Sequence, residues 1–225
     1  MRNLAIIPAR SGSKGLPDKN VLDLGGRPMM SYTIEAARDS ALFDKVFVST
    51  DSADYARIAE GCGAEAQPLR PPELSGDGVG SMAVILYVLE MFPGYETFCL
   101  LQPTSPFRTA EDIERAYRVY DSKGARSVVS LTRSEKSPRI INRINADGTI
   151  QGFVKIDQAY YSRQNEEDYY APNGALFICN VESFLASHDF YGERSYPYVM
   201  PKSRSIDVDD QYDYLFATSM LNLAA

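Results

Sequence analysis

The residues best placed to do chemistry lie in a short loop near the start of the chain. Arg10, Lys14 and Lys19 stand there, with Gly12 and Gly15 between them. Glycines let a backbone bend until its N–H groups face an anion, and cationic side chains supply the charge that phosphate oxygens require. The loop therefore favours binding of a polyphosphate, although the same composition also fits an ordinary solvated loop.

This loop matches neither of the two common glycine-rich phosphate motifs. Residues 11–15 read Ser-Gly-Ser-Lys-Gly, so the first glycine lies too close to the lysine for a P-loop, and no Ser or Thr follows that lysine. The G-x-G-x-x-G fingerprint of dinucleotide-binding folds is absent as well. Its absence argues against a hydride-transfer enzyme of the Rossmann type.

Two carboxylates alternate with apolar residues near the other end of the chain. In an extended segment, Asp207 and Asp209 would project to one side, with Ile206 and Val208 on the other. Paired carboxylates suit Mg²⁺, a hard cation that takes oxygen ligands together with substrate phosphates and water. The alternative is a helix cap, with Asp209 capping and Asp210 in the first turn, and both roles can hold at once.

Short strands and helices alternate along the chain and would carry both groups of residues. Apolar runs predict strands at 4–7, 45–50, 64–67, 97–101, 127–131, 174–179 and 198–200. Helical spacing predicts helices at 29–39, 52–62, 82–92, 181–186 and 209–223, and Thr109 opens another. This rhythm predicts an α/β fold of three layers with a mostly parallel central sheet, in which ligands bind beyond the carboxyl ends of the strands.

The alternation stops at residues 138–171, which we interpret as an insertion into a single domain spanning 1–225. Asp147-Gly148 is a strong hairpin signal there, and a polar segment rich in tyrosine follows it. We predict a small β-rich excursion from the main sheet. It would serve either as a dimerisation surface or as a mobile lid.

Composition narrows the class of protein. The 225 residues carry a formal charge of -7, which disfavours nonspecific binding to nucleic acid or to an anionic membrane. No stretch reaches the roughly 18 apolar residues of a membrane span, and the start lacks the features of a signal peptide. Three widely spaced cysteines indicate reduced thiols, and a single histidine argues against a Ser-His-Asp triad. We therefore expect a cytoplasmic protein with neither nucleic acid nor membrane as a partner.

Several ordered blocks resemble the cytidylyltransferases that act on sialic acid and related nine-carbon sugar acids. The blocks read IIPARSGSKGLPDKN at 6–20, LRPPEL at 69–74, LLQPTSPFR at 100–108, SRQ at 162–164, PNGA at 172–175 and IDVD at 206–209. Together they extend over nearly the whole chain. Their joint occurrence is far more specific than any one block alone.

The resemblance implies a Rossmann-like nucleotidyltransferase that couples CTP to such an acid, with Mg²⁺ as cofactor, and releases pyrophosphate. It assigns the nucleotide to a set of polar side chains: Arg10, Lys14, Lys19, Asn20, Arg70 and Ser81. It assigns the sugar acid to a second set: Gln102, Thr104, Ser105, Arg163, Gln164 and Asn173. Arg163 and Gln164 would reach across a homodimer interface. Asp207 and Asp209 would bind the metal, and the residues implied in catalysis are Lys19, Arg10 and Asp209.

One departure from the family leaves the substrate open. Many relatives that use sialic acid carry an arginine just before P-N-G-A, whereas this chain has Ala171. The loop at 14–17 favours sialic or legionaminic acid over pseudaminic acid. The eight-carbon acid Kdo is a weaker candidate, because enzymes for it usually carry arginine where this chain has Lys14-Gly15. The residues also allow transfer to a sugar 1-phosphate, or a non-catalytic nucleotide-binding role.

Overall fold

A six-stranded sheet forms the centre of the part of the chain that the computed structural model describes, residues 1–13, 15–153 and 167–224. The strands are β1 (Asn3–Pro8), β2 (Lys45–Ser49), β3 (Thr97–Leu100), β4 (Ser127–Arg133), β5 (Tyr170–Asn180) and β6 (Ser195–Val199). Their order across the sheet is β2-β1-β3-β5-β4-β6. β1 is parallel to β2 and β3, and β4 is parallel to β6, whereas β5 runs antiparallel to β3 and β4. The prediction of a mostly parallel sheet is confirmed.

Helices cover both faces of this sheet. They are α1 (Met29–Asp39), α2 (Ala53–Gly61), α3 (Ser81–Met91), α4 (Ala110–Lys123), α5 (Val181–Ser187) and α6 (Gln211–Ala224). Helices α1, α2 and α4 share one buried cluster with the sheet, in which Ile7 packs with Ile34. Helices α3 and α5 share a cluster on the opposite face, where the rings of Phe98 and Phe184 lie edge to face at 4.9 Å. The three predicted layers are therefore present.

A third buried cluster joins α6 to the loop that follows β1. Leu16 and Leu24 from this end of the chain pack with Val208 and Ala217 from the other. Burial of apolar surface thus brings the segment 206–210, here called the acidic segment, beside the loop that carries Arg10 and Lys19. Lys19 and Asp209 are 190 residues apart along the chain.

Two predicted strands differ in extent from the observed ones. The strand expected at 64–67 is only a bridge between Glu65 and Phe47 of β2. The strand expected at 198–200 begins earlier, at Ser195, and contains Pro197. Because β6 is an edge strand, a residue without an N–H group is tolerated there.

The predicted excursion at 138–171 is described only in part. Residues 138–153 contain a 3-10 turn at Pro138–Ile140 and a tight turn at Gly148, whose φ is 79°. Residues 154–166 lie outside the described residues. A single domain with a β-rich excursion that acts as interface or lid stays a prediction. Within the described ranges, every helix is too short or too polar to cross a membrane.

Candidate active site

A cleft of about 580 Å³ opens beyond the carboxyl ends of β1 and β3. Four segments line it: the loop after β1, the stretch from 70 to 84, the turn after β3 and the segment before α6. Nine of the predicted site residues are among the lining residues: Arg10, Lys19, Asn20, Arg70, Ser81, Gln102, Thr104, Asp207 and Asp209. Neighbouring parallel strands end at the same edge of a sheet, which explains why such distant segments meet here.

Hydrogen bonds from buried and half-buried groups hold the loop after β1 in place. The backbone amide and the hydroxyl of Ser11 both donate to the Asp51 carboxylate, at 2.9 and 3.1 Å. Asn20 is buried and donates from its side-chain amide to a loop carbonyl at 3.0 Å. A Cβ atom on Gly15 would lie 2.8 Å from the Asp209 carbonyl oxygen. Glycine at this position therefore lets the loop approach the acidic segment closely.

Two cations of this loop form ion pairs at the cleft. Lys19 Nζ lies 2.7 Å from Asp209 Oδ1, and Arg10 Nη1 lies 2.7 Å from Asp77 Oδ1. The Asp209 side chain is 70% exposed and that of Asp77 is 42% exposed. Pairs as exposed as these contribute only about 0–1 kcal/mol. A ligand with several negative charges can therefore displace both carboxylates.

Arg70 supplies a third cation, buried in the wall of the cleft. The residue is 4% exposed, and its Nη2 lies 4.0 Å from Asp51 Oδ1. Neither Nε nor Nη2 donates a hydrogen bond to any residue that the structure describes. Burial lowers the pKa of the Arg70 guanidinium, against the opposing charge of Asp51, but arginine remains charged at neutral pH. A buried cation with unused donors suits an anionic ligand.

The segment before α6 presents the two predicted metal ligands to the cleft. Ile206 and Val208 are buried, while Asp207 and Asp209 line the cleft on the opposite side, as the alternation predicts. The Val208 amide donates to the Thr104 carbonyl at 2.8 Å. This hydrogen bond fixes the acidic segment against the turn that follows β3.

The cap of α6 is made by Asp210, so the alternative in which Asp209 caps this helix is wrong. Asp210 Oδ1 accepts from the amides of Tyr212 and Asp213, at 2.8 and 3.0 Å. In return, Asp213 Oδ2 accepts from the Asp210 amide at 3.2 Å, which completes a reciprocal capping box. The helix begins at Gln211 and not at 209. The Asp209 side chain is left to face the cleft.

The environment of Asp207 suits a cation. Its Oδ1 is buried and accepts no hydrogen bond within the described part of the chain. Burial raises the pKa of the Asp207 carboxyl, outweighing a hydrogen bond from Thr104, and the charge of Asp209 adds to the rise. A divalent cation would relieve both effects. The described residues hold no group of three or more His, Cys, Asp or Glu that could bind a metal ion by themselves. The pair therefore fits Mg²⁺ if phosphates and water complete its coordination.

The turn after β3 carries the predicted sugar contacts. Gln102 and Thr104 line the cleft. Ser105 lies behind them, fully buried, and its hydroxyl donates to the Asn173 carbonyl at 3.3 Å. Two of the three predicted residues of this turn therefore reach the cleft directly, and the third supports them.

Arg108, for which the sequence predicts no role, fixes this turn from inside the protein. Its Nε donates to the Ala175 carbonyl at 2.7 Å and its Nη2 to the Gln102 carbonyl at 2.8 Å. Burial lowers the pKa of Arg108 to about 10, so the side chain remains a cation at neutral pH. It lies just before the Thr109 cap of α4, but sequence cannot distinguish a buried arginine from an exposed one at such a position.

β5 bulges next to the cleft at Asn173 and Gly174. Between two consecutive cross-strand pairs, β4 advances by two residues while β5 advances by five. Ser130 of β4 fills the gap and donates to Asn173 Oδ1 at 2.6 Å, while Asn173 Nδ2 donates to Ser205 Oγ at 2.9 Å. Asn173 is not among the residues that line the cleft. Because protein groups occupy both ends of its amide, its contact with the sugar stays a prediction.

Three predicted site residues, Lys14, Arg163 and Gln164, lie outside the described residues, and their roles stay predictions. Ala171, the departure from the family pattern, lies in β5 opposite Thr132 of β4.

Comparisons with known proteins agree on one family. The profile of a family described as cytidylyltransferase matches residues 4–222. Over 218 residues the chain is 44% identical to the N-acylneuraminate cytidylyltransferase of Escherichia coli O18:K1:H7, covering 96% of this chain and 51% of that protein. It is 34% identical to the CMP-N,N'-diacetyllegionaminic acid synthase of Legionella pneumophila, covering 99% of this chain and 97% of that protein. The chain thus spans about half the length of the first relative and nearly all of the second.

A solved structure shares the fold. The structure of a CMP:2-keto-3-deoxy-manno-octonic acid synthetase complexed with CTP has a TM-score of 0.74 with this chain, and the match covers 100% of both chains. The two sequences are 15% identical, so this likeness concerns the fold alone.

Proposed function

The chain belongs to the cytidylyltransferase family, and we propose that it transfers CMP from CTP to a nine-carbon 2-keto-3-deoxy sugar acid. The observation that carries this proposal is the meeting of two kinds of charge in one cleft. The cations Arg10, Lys19 and Arg70 line the same space as Asp207 and Asp209. Relatives named for N-acylneuraminate and for diacetyllegionaminic acid support sialic acid, or a relative such as legionaminic acid, as the acceptor.

The reaction would join the anomeric hydroxyl of the acid to the α-phosphorus of CTP. A new P–O bond forms, the bond between the α-phosphorus and the bridging oxygen breaks, pyrophosphate leaves, and the hydroxyl proton passes to an aspartate of the cleft or to water. Negative charge develops on the departing pyrophosphate. Arg10 and Lys19 would stabilise it from fixed positions in the cleft, together with Lys14 of the same loop.

Binding of the nucleotide would also break the ion pair between Lys19 and Asp209. Lys19 cannot bind phosphate oxygens fully while it holds Asp209 at 2.7 Å. A triphosphate that takes over Lys19 therefore releases the Asp209 carboxylate. Asp207 and Asp209 would hold Mg²⁺, which when bound would neutralise charge at the α-phosphate and orient the attacking oxygen. Arrival of the nucleotide would thus prepare the acidic pair.

The remaining nucleotide contacts come from Asn20, Arg70 and Ser81, all in the wall of the cleft. Asn20 Oδ1 is buried and accepts no hydrogen bond from the described residues. An unsatisfied buried acceptor calls for a donor from a ligand or from water. The amino group of a cytosine base is a donor of this kind.

We further propose that the protein is a homodimer in which Arg163 and Gln164 reach the sugar acid held by Gln102 in the other subunit. Exposed isoleucines in the segment 138–153 support a contact surface there: Ile141 is 61% exposed, Ile144 68% and Ile150 67%. Exposed apolar side chains grouped in one segment are typical of surfaces that bind another protein.

The cysteines at 62, 99 and 179 are free, which fits the reducing cytoplasm as the site of action.

The experiment that tests the activity is pyrophosphate release from CTP and Mg²⁺ with a panel of acceptors. The panel comprises N-acetylneuraminic, legionaminic, pseudaminic and Kdo acids, and a sugar 1-phosphate. Release with a nine-carbon acid is the expected result. Release with Kdo or the sugar 1-phosphate alone would reassign the acceptor. CTP binding without release from any acceptor would contradict the proposed activity.

A further inference from the structure

A buried carboxylate at the start of α4, Asp112, is bonded to the segment that leads to the acidic pair. Its side chain is 1% exposed. Arg204 contacts both of its oxygens: Nε lies 2.9 Å from Oδ2 and Nη2 lies 3.0 Å from Oδ1. The hydroxyl of Tyr198 donates to Oδ1 at 2.9 Å, and the amide and hydroxyl of Thr109 donate to Oδ2 at 3.0 Å each. The carboxylate therefore accepts five hydrogen bonds.

These bonds keep Asp112 ionised despite its burial. Burial alone would raise the pKa of the Asp112 carboxyl, but the hydrogen bonds, led by that of Arg204, hold it below its ordinary value. A two-point contact between arginine and a carboxylate is among the stronger polar interactions in proteins, and it fixes direction as well as distance. Arg204 is therefore held at one place relative to α4.

Arg204 lies only three residues before Asp207, at the end of the 3-10 turn Lys202–Arg204. Between this turn and α6 the chain has no regular secondary structure. Beyond Arg204, the segment is held by the bond from Asn173 to Ser205, by the bond from the Val208 amide to the turn after β3 and by the capping box at Asp210. Asp207 thus lies between Arg204 and Val208, and two anchors hold the segment on its upstream side: the Arg204 bonds to Asp112 and the bond from Asn173 to Ser205.

Asp112 also links the two walls of the cleft. The turn after β3, which carries Gln102 and Thr104, leads directly into α4 through the Thr109 cap. One carboxylate thus holds both that turn and the acidic segment. Magnesium demands near-ideal octahedral geometry, and functional groups must be held within about 0.5 Å of their working positions. Loosening the two-point contact of Arg204, the charged one of the two upstream anchors, would disturb such a site.

We propose that Asp112 and Arg204 are positioning residues that set the placement of Asp207 relative to Asp209, so that metal-assisted binding of the nucleotide depends on their contact. This inference rests on the proposed function. It extends that function to two residues that do not line the cleft.

The test compares CTP binding with and without metal. Calorimetry gives the affinity for CTP in EDTA and in Mg²⁺, and the ratio of the two measures the coupling between metal and nucleotide. Arg204→Gln removes the two-point contact and keeps a polar side chain. The matched control is Arg115→Gln, which removes an ion pair with Glu111 on the exposed face of α4, the helix that carries Asp112.

We expect the affinity of Arg204→Gln for CTP in EDTA to stay within about twofold of the wild-type value. The factor by which Mg²⁺ increases the affinity should fall about tenfold, which is the lower end of the range for residues that orient metal ligands. Arg115→Gln should leave both unchanged. If Arg204→Gln does not fold, Tyr198→Phe removes one hydrogen bond to the same carboxylate and should reduce the enhancement by a smaller factor.

Two results would overturn the inference. One is an Mg²⁺ enhancement in the folded variant equal to that of the wild type. The other is an equal loss of affinity with and without metal, which would indicate general loosening of the cleft. A wild-type protein that binds CTP more tightly with Mg²⁺, yet releases no pyrophosphate with any acceptor, would contradict the proposed function and leave this inference standing.

Discussion

Gly174 offers a sharp test of how the cleft is built. It lies in the bulge of β5 with a φ of 74°, a conformation that L side chains rarely adopt. A Cβ atom at this position would lie 3.3 Å from Asp207 Oδ2 and 3.3 Å from Ser105 Oγ, and closer still to Gln102 Oε1. Gly174→Ala would therefore strain the backbone and press at once on Gln102, a proposed sugar contact, and on Asp207, a proposed metal ligand.

The expected loss of stability has two parts. Placing alanine in a left-handed conformation costs roughly 1–2 kcal/mol. Inserting a methyl group into a closely packed site costs roughly 1–3 kcal/mol more. We therefore expect Gly174→Ala to lower the free energy of unfolding by about 2–5 kcal/mol. In a chain of this length each kcal/mol corresponds to roughly 2–4 °C in Tm.

A matched control separates the two parts. Gly26 has a φ of 88°, and a Cβ atom there would meet no atom of the described residues within 4 Å. Gly26→Ala should therefore lose only the conformational part, about 1–2 kcal/mol. Urea unfolding of both variants gives the comparison, and steady-state kinetics gives the effect on turnover. We expect Gly174→Ala alone to raise KM for the sugar acid, because Gln102 must move. A Gly174→Ala variant as stable as Gly26→Ala, or one with the kinetics of the wild type, would contradict these expectations.

Two further substitutions test the charges of the cleft. Asp207→Asn should abolish the enhancement of CTP binding by Mg²⁺. The same substitution should stabilise the metal-free protein by about 0.5–2 kcal/mol, because it removes a buried charge whose Oδ1 accepts no hydrogen bond from the described residues. Since burial raises the pKa of Asp207, the folded wild type binds a proton at this carboxylate more tightly than the unfolded chain does. The difference in stability between Asp207→Asn and the wild type should therefore shrink as the pH falls from 7 through the raised pKa. A constant difference from pH 7 to pH 4 in thermal unfolding would contradict this. Asp77→Asn removes the ion pair between Asp77 and Arg10, which contributes about 0–1 kcal/mol to stability. CTP should therefore bind up to about fivefold more tightly, as measured by calorimetry. Weaker binding would mean that Asp77 makes a favourable contact with the nucleotide.

The sequence predicts the layers of the fold well, because hydrophobic periodicity reports directly which faces are buried. The run at 4–7 is apolar throughout and that at 97–101 is apolar after Thr97, and they become the central strands β1 and β3. The direction of β5 could not be predicted from its own residues. An antiparallel strand buried on both faces has the same apolar run as a parallel one, and only its neighbours distinguish the two.

The candidate site was predicted better as a set of residues than as a set of contacts. Alternation correctly placed Asp207 and Asp209 on one side of their segment, since Ile206 and Val208 had to be buried. Which aspartate caps α6 depends on where the helix starts, and sequence locates helix ends only to within a few residues. The Lys19 pair with Asp209 joins residues far apart in the chain, and local patterns carry no information about such a contact.

The role of Asn173 in the bulge of β5 cannot be assigned from sequence alone. PNGA at 172–175 was identified as a block of the family, with Asn173 as a ligand of the sugar. In the structure the side chain of Asn173 is buried in a network with Ser130 and Ser205. A polar residue beside a glycine fits either a ligand or a structural hydrogen bond, and only the surrounding packing distinguishes the two roles.

Mass spectrometry of the product shows directly whether a CMP-sugar forms in this cleft. CTP, Mg²⁺ and either N-acetylneuraminic or legionaminic acid would be incubated with the wild type, with Asp209→Asn and with Asp210→Asn. The two variants differ by one position, and asparagine caps a helix about as well as aspartate. We predict one CMP-sugar per pyrophosphate for the wild type, near-normal formation for Asp210→Asn, and a loss of about 100-fold or more for Asp209→Asn. Absence of a CMP-sugar with both acids, or equal activity of the two variants, would contradict the account.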